Sequence, residues 1–174
     1  DIDGKIIKNS NITFLEGYLW DEGEPRKAFE KAINNSNKVA MTLSDIFCVE
    51  RHKAEFLDLV KNKLDIIFAN EQEVLSLIDG NSINDAILFS KNLNKNIVIT
   101  RGAEGAIAIN KQEIVEHSAR KNLDVVDLTG AGDLFAAGYL HGVINNLSLN
   151  ECLAHGTELS SKIIQKIGAR LAKN

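Results

Sequence analysis

The sequence predicts an α/β fold, a three-layer sandwich around a mostly parallel sheet, and three observations predict it. Short apolar, β-branched runs such as Val39 to Leu43, Leu64 to Ala69 and Asn96 to Thr100 recur along the chain. Between them lie stretches of roughly 10–20 residues with apolar positions at helical spacing, which implies strands buried under helices on both faces. No internal repeat, low-complexity tract or linker breaks the pattern, so residues 1–174 read as one unit.

Taken in order, Asn11 to Tyr18 reads as a buried strand ending at a glycine. Gly23-Glu24-Pro25 opens a helix with proline in the first turn, where its missing N–H costs nothing, and Phe29 and Ile33 carry it to about Asn34. The strand Val39 to Leu43 leads through Ser44-Asp45 to a helix from Val49 to Lys61, with Phe56, Leu57 and Val60 on one face. Leu64 to Ala69 is a strand, and Asn70 starts a helix that runs through Val74, Leu75 and Ile78 to Asp79-Gly80. A further helix spans Ser82 to Leu93, followed by the strand Asn96 to Thr100, a turn over Arg101 to Gly105, and Ala106 to Ile109 with a hairpin partner near Ile114-Val115. Val125-Val126 reads as a short strand before a small-residue turn and a helix to about Asn145. The last helix runs from Ser148, with Glu151 closing a capping box, to roughly Ile167.

Composition narrows the function. A formal charge of −4, with no basic run interleaved with aromatics, argues against nucleic-acid binding. No apolar stretch approaches the roughly 18 residues needed to span a bilayer, and Asp1 to Lys5 has no signal-peptide character, so the expected compartment is cytoplasmic. Cys48 and Cys152, distant and outside any Cys-x-x-Cys pair, fit a reducing compartment. His52, His117, His141 and His155 form no zinc spacing. The chain starts without Met, and its natural start is expected upstream.

Chemistry concentrates in Asp127-Leu128-Thr129-Gly130-Ala131-Gly132-Asp133. Gly130 and Gly132 let backbone N–H groups approach an anion, and the helix that begins here adds unpaired N–H groups and the positive end of its dipole. Asp133 is out of place in a phosphate cradle unless it faces a hydroxyl that attacks phosphorus; the alternative is an acid that merely starts a helix. Asn70 and Glu73 share one face of a first helical turn, either as a plain capping box or as an oxygen-rich corner that meets Mg²⁺ partly through water. Thr100, Gly102 and Gly105 form either a strand-to-strand turn or a clamp for nucleotide phosphates. All three features fall at expected strand ends, where open α/β sheets bind ligands.

Together these pieces resemble the PfkB-type carbohydrate kinases, the ribokinase and adenosine kinase group. Asp127 to Gly138 is similar to that family's C-terminal signature, Asn70-x-x-Glu73 to its magnesium motif and Thr100 to Gly105 to its nucleotide loop. Phe14 to Asp21 is similar to a segment of adenosine-kinase-like members. The resemblance implies a ribokinase-like fold, ATP and Mg²⁺, and a small-molecule sugar or nucleoside whose primary hydroxyl receives the phosphoryl group. It makes Asp133 the base, the N–H groups of Ala131, Gly132 and Asp133 the anion hole, Thr100 and Gly102 nucleotide contacts, and Glu73 a group that biases Mg²⁺ and its waters. The region of Asp127 and Gly168 would hold a monovalent cation. Leu128 departs from the family, many of whose members have a small hydroxyl residue there, though nothing in the mechanism needs an oxygen at that point. The family's N-terminal portion, with its sugar-binding motif and lid, is expected to be absent, so residues 1–174 read as the C-terminal nucleotide-binding and catalytic portion.

The competing reading is a catalytically silent nucleotide-binding fragment or split-gene remnant. A dinucleotide-binding dehydrogenase is disfavoured, because the glycine turn lies late in the chain and lacks the Gly-x-Gly-x-x-Gly pattern. With the family's first half absent, the first strand is left as an open sheet edge. Self-association, or complementation by the missing half, is therefore expected. Light scattering checks the former: growth in mass with concentration is the expected result, and a clean monomer at high concentration contradicts it.

Overall fold

The computed structural model describes residues 2–20, 22–93 and 95–171. Six strands are hydrogen-bonded in chain order: β1 (Thr13–Glu16), β2 (Val39–Thr42), β3 (Ile66–Asn70), β4 (Asn96–Thr100), β5 (Ala106–Ile109) and β6 (Ile114–His117). β1 pairs with β2, and β2 with β3, in parallel, with Phe14 opposite Ala40 and Met41 opposite Ile67. The mostly parallel sheet with its helices is the α/β class that the sequence predicts. Among the described residues no helix is long and apolar enough to cross a membrane. Asp21, the last residue of the segment that begins at Phe14, lies outside the described residues.

Contacts group the chain into two compact units, Asp1–Ile99 with Ile109–Glu113, and Thr100–Ala108 with Ile114–Asn174. In the first, helices α1 (Gly4–Lys8), α2 (Glu24–Asn35), α3 (Ile46–Arg51), α4 (Lys53–Asn62), α5 (Glu71–Ile78) and α6 (Ile83–Asn92) alternate with β1 to β4. Val39, Ala40 and Met41 are all buried, as are Ile66 to Ala69, so consecutive residues pointing to opposite faces both meet protein. Phe56, Leu64 and Met41 are fully buried here, and truncating a ring like that of Phe56 costs about 3–5 kcal/mol.

Two expectations need correction in this unit, and one helix lies outside them. The helix expected over Val49 to Lys61 is two helices, because His52 leaves helical geometry (φ −118°, ψ 25°) and starts α4, its ring held 3.2 Å from Glu55. The first strand is shorter than Asn11 to Tyr18; after Glu16 the chain tightens into a 3₁₀ turn over Gly17–Leu19. The short helix α1 has no counterpart in the sequence reading, and its Asp3 cap is a signal that was there to use.

The second unit holds β5, β6 and two long helices, α7 (Ala131–Ile144) and α8 (Leu149–Ile163). Val125-Val126 is not a strand: both side chains are exposed, and the N–H groups of Val126 and Asp127 bond the carbonyl of Ile164 (2.8 and 3.2 Å). The same bonds explain why α8 ends at Ile163 rather than Ile167, since the Ile164 carbonyl serves this segment instead of another helical turn.

Helices α7 and α8 pack backbone to backbone. A Cβ on Gly138 would lie 2.5 Å from the carbonyl oxygen of His155, closer than atoms approach, and the obstacle is main chain that cannot rotate away. Gly138→Ala is expected to cost about 1–3 kcal/mol by overpacking. A urea-denaturation midpoint lowered accordingly checks this. Gly132→Ala, whose Cβ would meet nothing within 4 Å, is expected to be neutral or slightly stabilising.

Candidate active site

In the first unit, β3 ends at Asn70 and α5 starts at the next residue. Four unpaired N–H groups at a helix start need acceptors, and Asn70 and Glu73 answer reciprocally. Asn70 Oδ1 accepts the Glu73 N–H at 2.8 Å, and Glu73 Oε2 accepts the Asn70 N–H at 2.9 Å. The Asn70 side-chain amide also donates to Glu73 Oε1 at 2.6 Å, so each carboxylate oxygen accepts a hydrogen bond from Asn70.

Glu73 is 5% exposed. Burial raises its pKa above the ordinary carboxylate range, the Asn70 bonds oppose that shift, and the charge of Asp45 adds to it. Asp45 caps α3 through the Cys48 N–H (2.7 Å). Burial is the largest single influence on Asp45 and raises it. Hydrogen bonds from Cys48, the Tyr18 hydroxyl and Phe47 together outweigh burial, so Asp45 ends below its ordinary value. Among the described residues no group of three or more His, Cys, Asp or Glu is arranged to hold a metal directly. Each Glu73 oxygen keeps acceptor capacity beyond its one hydrogen bond, so the pair fits a cation that retains its own water, as Mg²⁺ does.

In the second unit, a cavity of about 700 Å³ is lined by Thr100, Gly102, Gly105, Ala131 and Gly132, which unites the expected nucleotide loop with part of the glycine turn. Thr100 ends β4, and the chain then turns through a 3₁₀ segment, Gly102–Glu104, closed by the bond from Arg101 N–H to the Gly105 carbonyl (2.8 Å). Gly105 has φ +99°, and a Cβ there would sit 2.0 Å from the carbonyl oxygen of His117, so no other residue fits. The rim is basic at Arg120 and Lys121, with Arg120 paired to Glu158 at 3.2 Å.

Gly130 and Asp133 are not among the residues lining this cavity. Gly130 is the N-cap of α7 in left-handed conformation (φ +78°), and no described side chain caps this helix. The Ala131 N–H bonds the Leu128 carbonyl at 3.1 Å, whereas those of Gly132 and Asp133 bond no described residue. Asp133 is exposed in the first turn, its negative charge favoured by the dipole. Because Val125-Val126 is not a strand, this turn follows irregular chain rather than the strand end that the sequence suggests.

Asp127 holds the turn from behind. Its Oδ1 accepts the Thr129 N–H (2.9 Å) and hydroxyl (2.7 Å), and its Oδ2 accepts the Gly168 N–H (2.8 Å). The Gly168 bond first, then those from Thr129, hold this carboxyl below its ordinary range. Sequence reasoning missed Thr157 and Ser161, which also line the cavity and are buried. The available signal was Leu153, Thr157 and Ser161 recurring every four residues on the apolar face of α8.

A family model described as pfkB family carbohydrate kinase matches residues 5–174. The ribokinase of Lactococcus lactis subsp. lactis is 31% identical over 180 residues, covering 95% of this chain and 57% of that protein. The crystal structure of adenosine kinase from Sinorhizobium meliloti superposes with a TM-score of 0.93 at 37% identity, covering 98% of this chain and 54% of that one. A structure from E. coli described as Ribokinase II in complex with ATP and Mg²⁺ shares the fold, with a TM-score of 0.84 at 20% identity over 97% of this chain and 56% of that one. The chain thus spans about half the length of the relatives it matches.

The capping box yields two expected outcomes. Asn70→Ala should lower stability by about 0.5–2 kcal/mol, the usual worth of an N-cap, as read by urea denaturation. Because the Glu73 pKa is raised on folding, the folded chain holds this proton more tightly than the unfolded one. The resulting stabilisation is complete below the ordinary value of 4.5 and is lost as pH rises through the folded-state value. A carboxyl-carbon NMR titration with its midpoint above 4.5 checks the direction.

Proposed function

The chain belongs to the pfkB family of carbohydrate kinases, and from that premise we propose an ATP-dependent phosphotransferase that phosphorylates a primary hydroxyl of a sugar or nucleoside. One observation carries the site assignment. The uncapped start of α7 leaves the N–H groups of Gly132 and Asp133 without a described partner, and Gly132 lines the cavity of the same unit. Unpaired N–H groups at a helix start favour negative charge.

In this reading Thr100, Gly102 and Gly105 contact the nucleotide, and residues 1–174 are the nucleotide-binding and catalytic portion of the protein. ATP supplies the phosphoryl group when bound, and Mg²⁺ neutralises its charge. The N–H groups of Gly132 and Asp133, with that of Ala131 if it leaves the Leu128 carbonyl, stabilise charge on the transferred group in flight. Gly130 gives the chain its sharp entry into the helix. Since phosphoryl transfer passes through a loose transition state, positioned donors of this kind supply most of what the protein contributes.

Asp133 accepts the proton of the acceptor hydroxyl at a carboxylate oxygen as the new oxygen–phosphorus bond forms and the bridging oxygen departs with the nucleoside diphosphate. Asn70 and Glu73 would be the residues that hold Mg²⁺, partly through water, and the ion would supply positive charge, while both Glu73 oxygens keep serving the cap of α5. Asp127, with Gly168 nearby, is the proposed monovalent-cation position, although its carboxylate already accepts three protein hydrogen bonds.

Asp133→Asn keeps size and removes the base. It is expected to lower phosphoryl transfer at least about 10²-fold, while nucleotide binding by calorimetry stays within a few-fold. Ribose and adenosine are the acceptors to assay, with ATP and Mg²⁺. Turnover retained in the variant would remove Asp133 from the mechanism. Nucleotide binding with no transfer in the parent protein would favour a silent binding fragment.

A further inference from the structure

The four histidines of the chain are His52, His117, His141 and His155. His52 is held by Glu55 and His117 by Asn150, each at 3.2 Å. His141 and His155 meet each other instead. Fourteen positions apart, they carry no metal spacing in the sequence, but α7 and α8 bring the two rings to 5.6 Å between centres, tilted by 40°. Both residues are exposed. The hydrogen bonds at His141 use its backbone carbonyl, from the Asn145 side chain (2.8 Å) and N–H (3.3 Å), and leave the ring out.

Main chain sets the separation on both sides of the pair. A Cβ on Gly138, one turn before His141, would lie 2.5 Å from the His155 carbonyl oxygen. One on Gly142, next to His141, would lie 3.0 Å from the Cα of Cys152. The helices cannot close further, and the backbone positions that carry the two rings are fixed. Two imidazoles on one zinc ion need a distance of this size: a Zn–N bond of about 2.0–2.1 Å puts each ring centre about 3.2 Å from the ion, and a tetrahedral angle then puts the centres about 5 Å apart. The small remaining adjustment falls to the side-chain torsions of exposed rings. Ligands held in place before the ion arrives spare much of the ordering cost of binding.

The neighbours supply charge but no third ligand. Glu151 and Glu158, four before and three after His155, share its face of α8. Glu151 closes the α8 capping box through Ser148 (2.9 and 2.6 Å), and Glu158 is paired with Arg120 (3.2 Å) and Lys162 (2.7 Å). Cys152 is buried, and burial pushes its thiol up, away from the thiolate that binds metal. Among the described residues no further His, Cys, Asp or Glu makes the pair a group of three, so water fills the other positions of an ion. We propose that His141 and His155 form a two-imidazole site for a divalent transition ion of the zinc class, which braces the last turn of α7 against α8. Imidazole suits such ions and Mg²⁺ prefers oxygen, so the site differs from the Asn70 and Glu73 corner in chemistry as well as in residues.

Urea denaturation of the full chain with increasing Zn²⁺ tests this. Ligation needs the neutral imidazole, so the experiment is run at about pH 8. Zinc at about ten times its dissociation constant should raise the folding equilibrium about tenfold. The expected result is a midpoint that climbs with zinc in the parent and stays put in His141→Ala and in His155→Ala. Both variants should fold as the parent does, since the positions are exposed and alanine favours helix. In the parent, the imidazole NMR signals of His141 and His155 should move together on one zinc-binding curve. A midpoint that does not respond to zinc in large excess overturns the inference. So does a rise that either variant keeps, or movement of one ring without the other.

Discussion

The close approach of α7 to α8 is the constraint on which the second unit depends. It is a contact between main chains. Gly138 lies against the His155 carbonyl, Gly142 against Cys152, and Gly156 against the Phe135 carbonyl. Glycine inside a helix costs about 0.5–1 kcal/mol each relative to alanine. That cost is offset by what the approach buries, since Tyr139 and Leu153 have no exposed surface and Phe135 little. The same contact fixes two things that a looser pair of helices would leave adrift: the first turn of α7, with two N–H groups that bond no described residue, and the face of α8 that carries Thr157 and Ser161.

In the first unit the corresponding device is electrostatic rather than steric. Glu73 is buried, and its carboxylate is held by the residue whose backbone it caps. Direct ligation of a metal by Glu73 would compete with those bonds and expose the start of α5. Burial and Asp45 both favour protonation of Glu73, while Asn70 favours its charge. A nearby cation would tip this balance towards the carboxylate without any contact, so structural cap and metal-biasing group are compatible roles for one side chain. The plain capping box and the functional corner, which stand as alternatives in the sequence, share the same hydrogen bonds.

Much of the fold is legible in the sequence because β2 to β5 are buried along most of their length and therefore continuous in their apolar character. Val39 to Thr42 and Ile66 to Asn70 fall within a residue or two of where their β-branched runs put them. Val125-Val126 misleads for a related reason: β-branched residues favour extended chain, and this segment finds its partner at the Ile164 carbonyl, just past the end of α8, instead of in the sheet. The break at His52 depends on a ring–carboxylate contact that periodicity does not register. In the candidate site the glycines and acids announce themselves by residue type. Thr157 and Ser161 do not, because a hydroxyl on a helix is common, and what sets these two apart is that they line the cavity, which exists only once α8 has packed.

Asp127 and Asp133 show how one residue type takes two roles six positions apart. Asp127 receives three hydrogen bonds, two from Thr129 and one from Gly168, and so joins the turn before α7 to the chain that follows α8. With three of its roughly four acceptor positions taken by protein donors, it has little left for a substrate proton. Asp133 stands in the first turn of α7, exposed, beside amides that bond no described residue. A base must have lone pairs free to meet an incoming hydroxyl, and a clamp spends most of its own on the chain. By that criterion the two aspartates are not interchangeable candidates: Asp127 is bound into the turn, and the proposed role of base falls to Asp133.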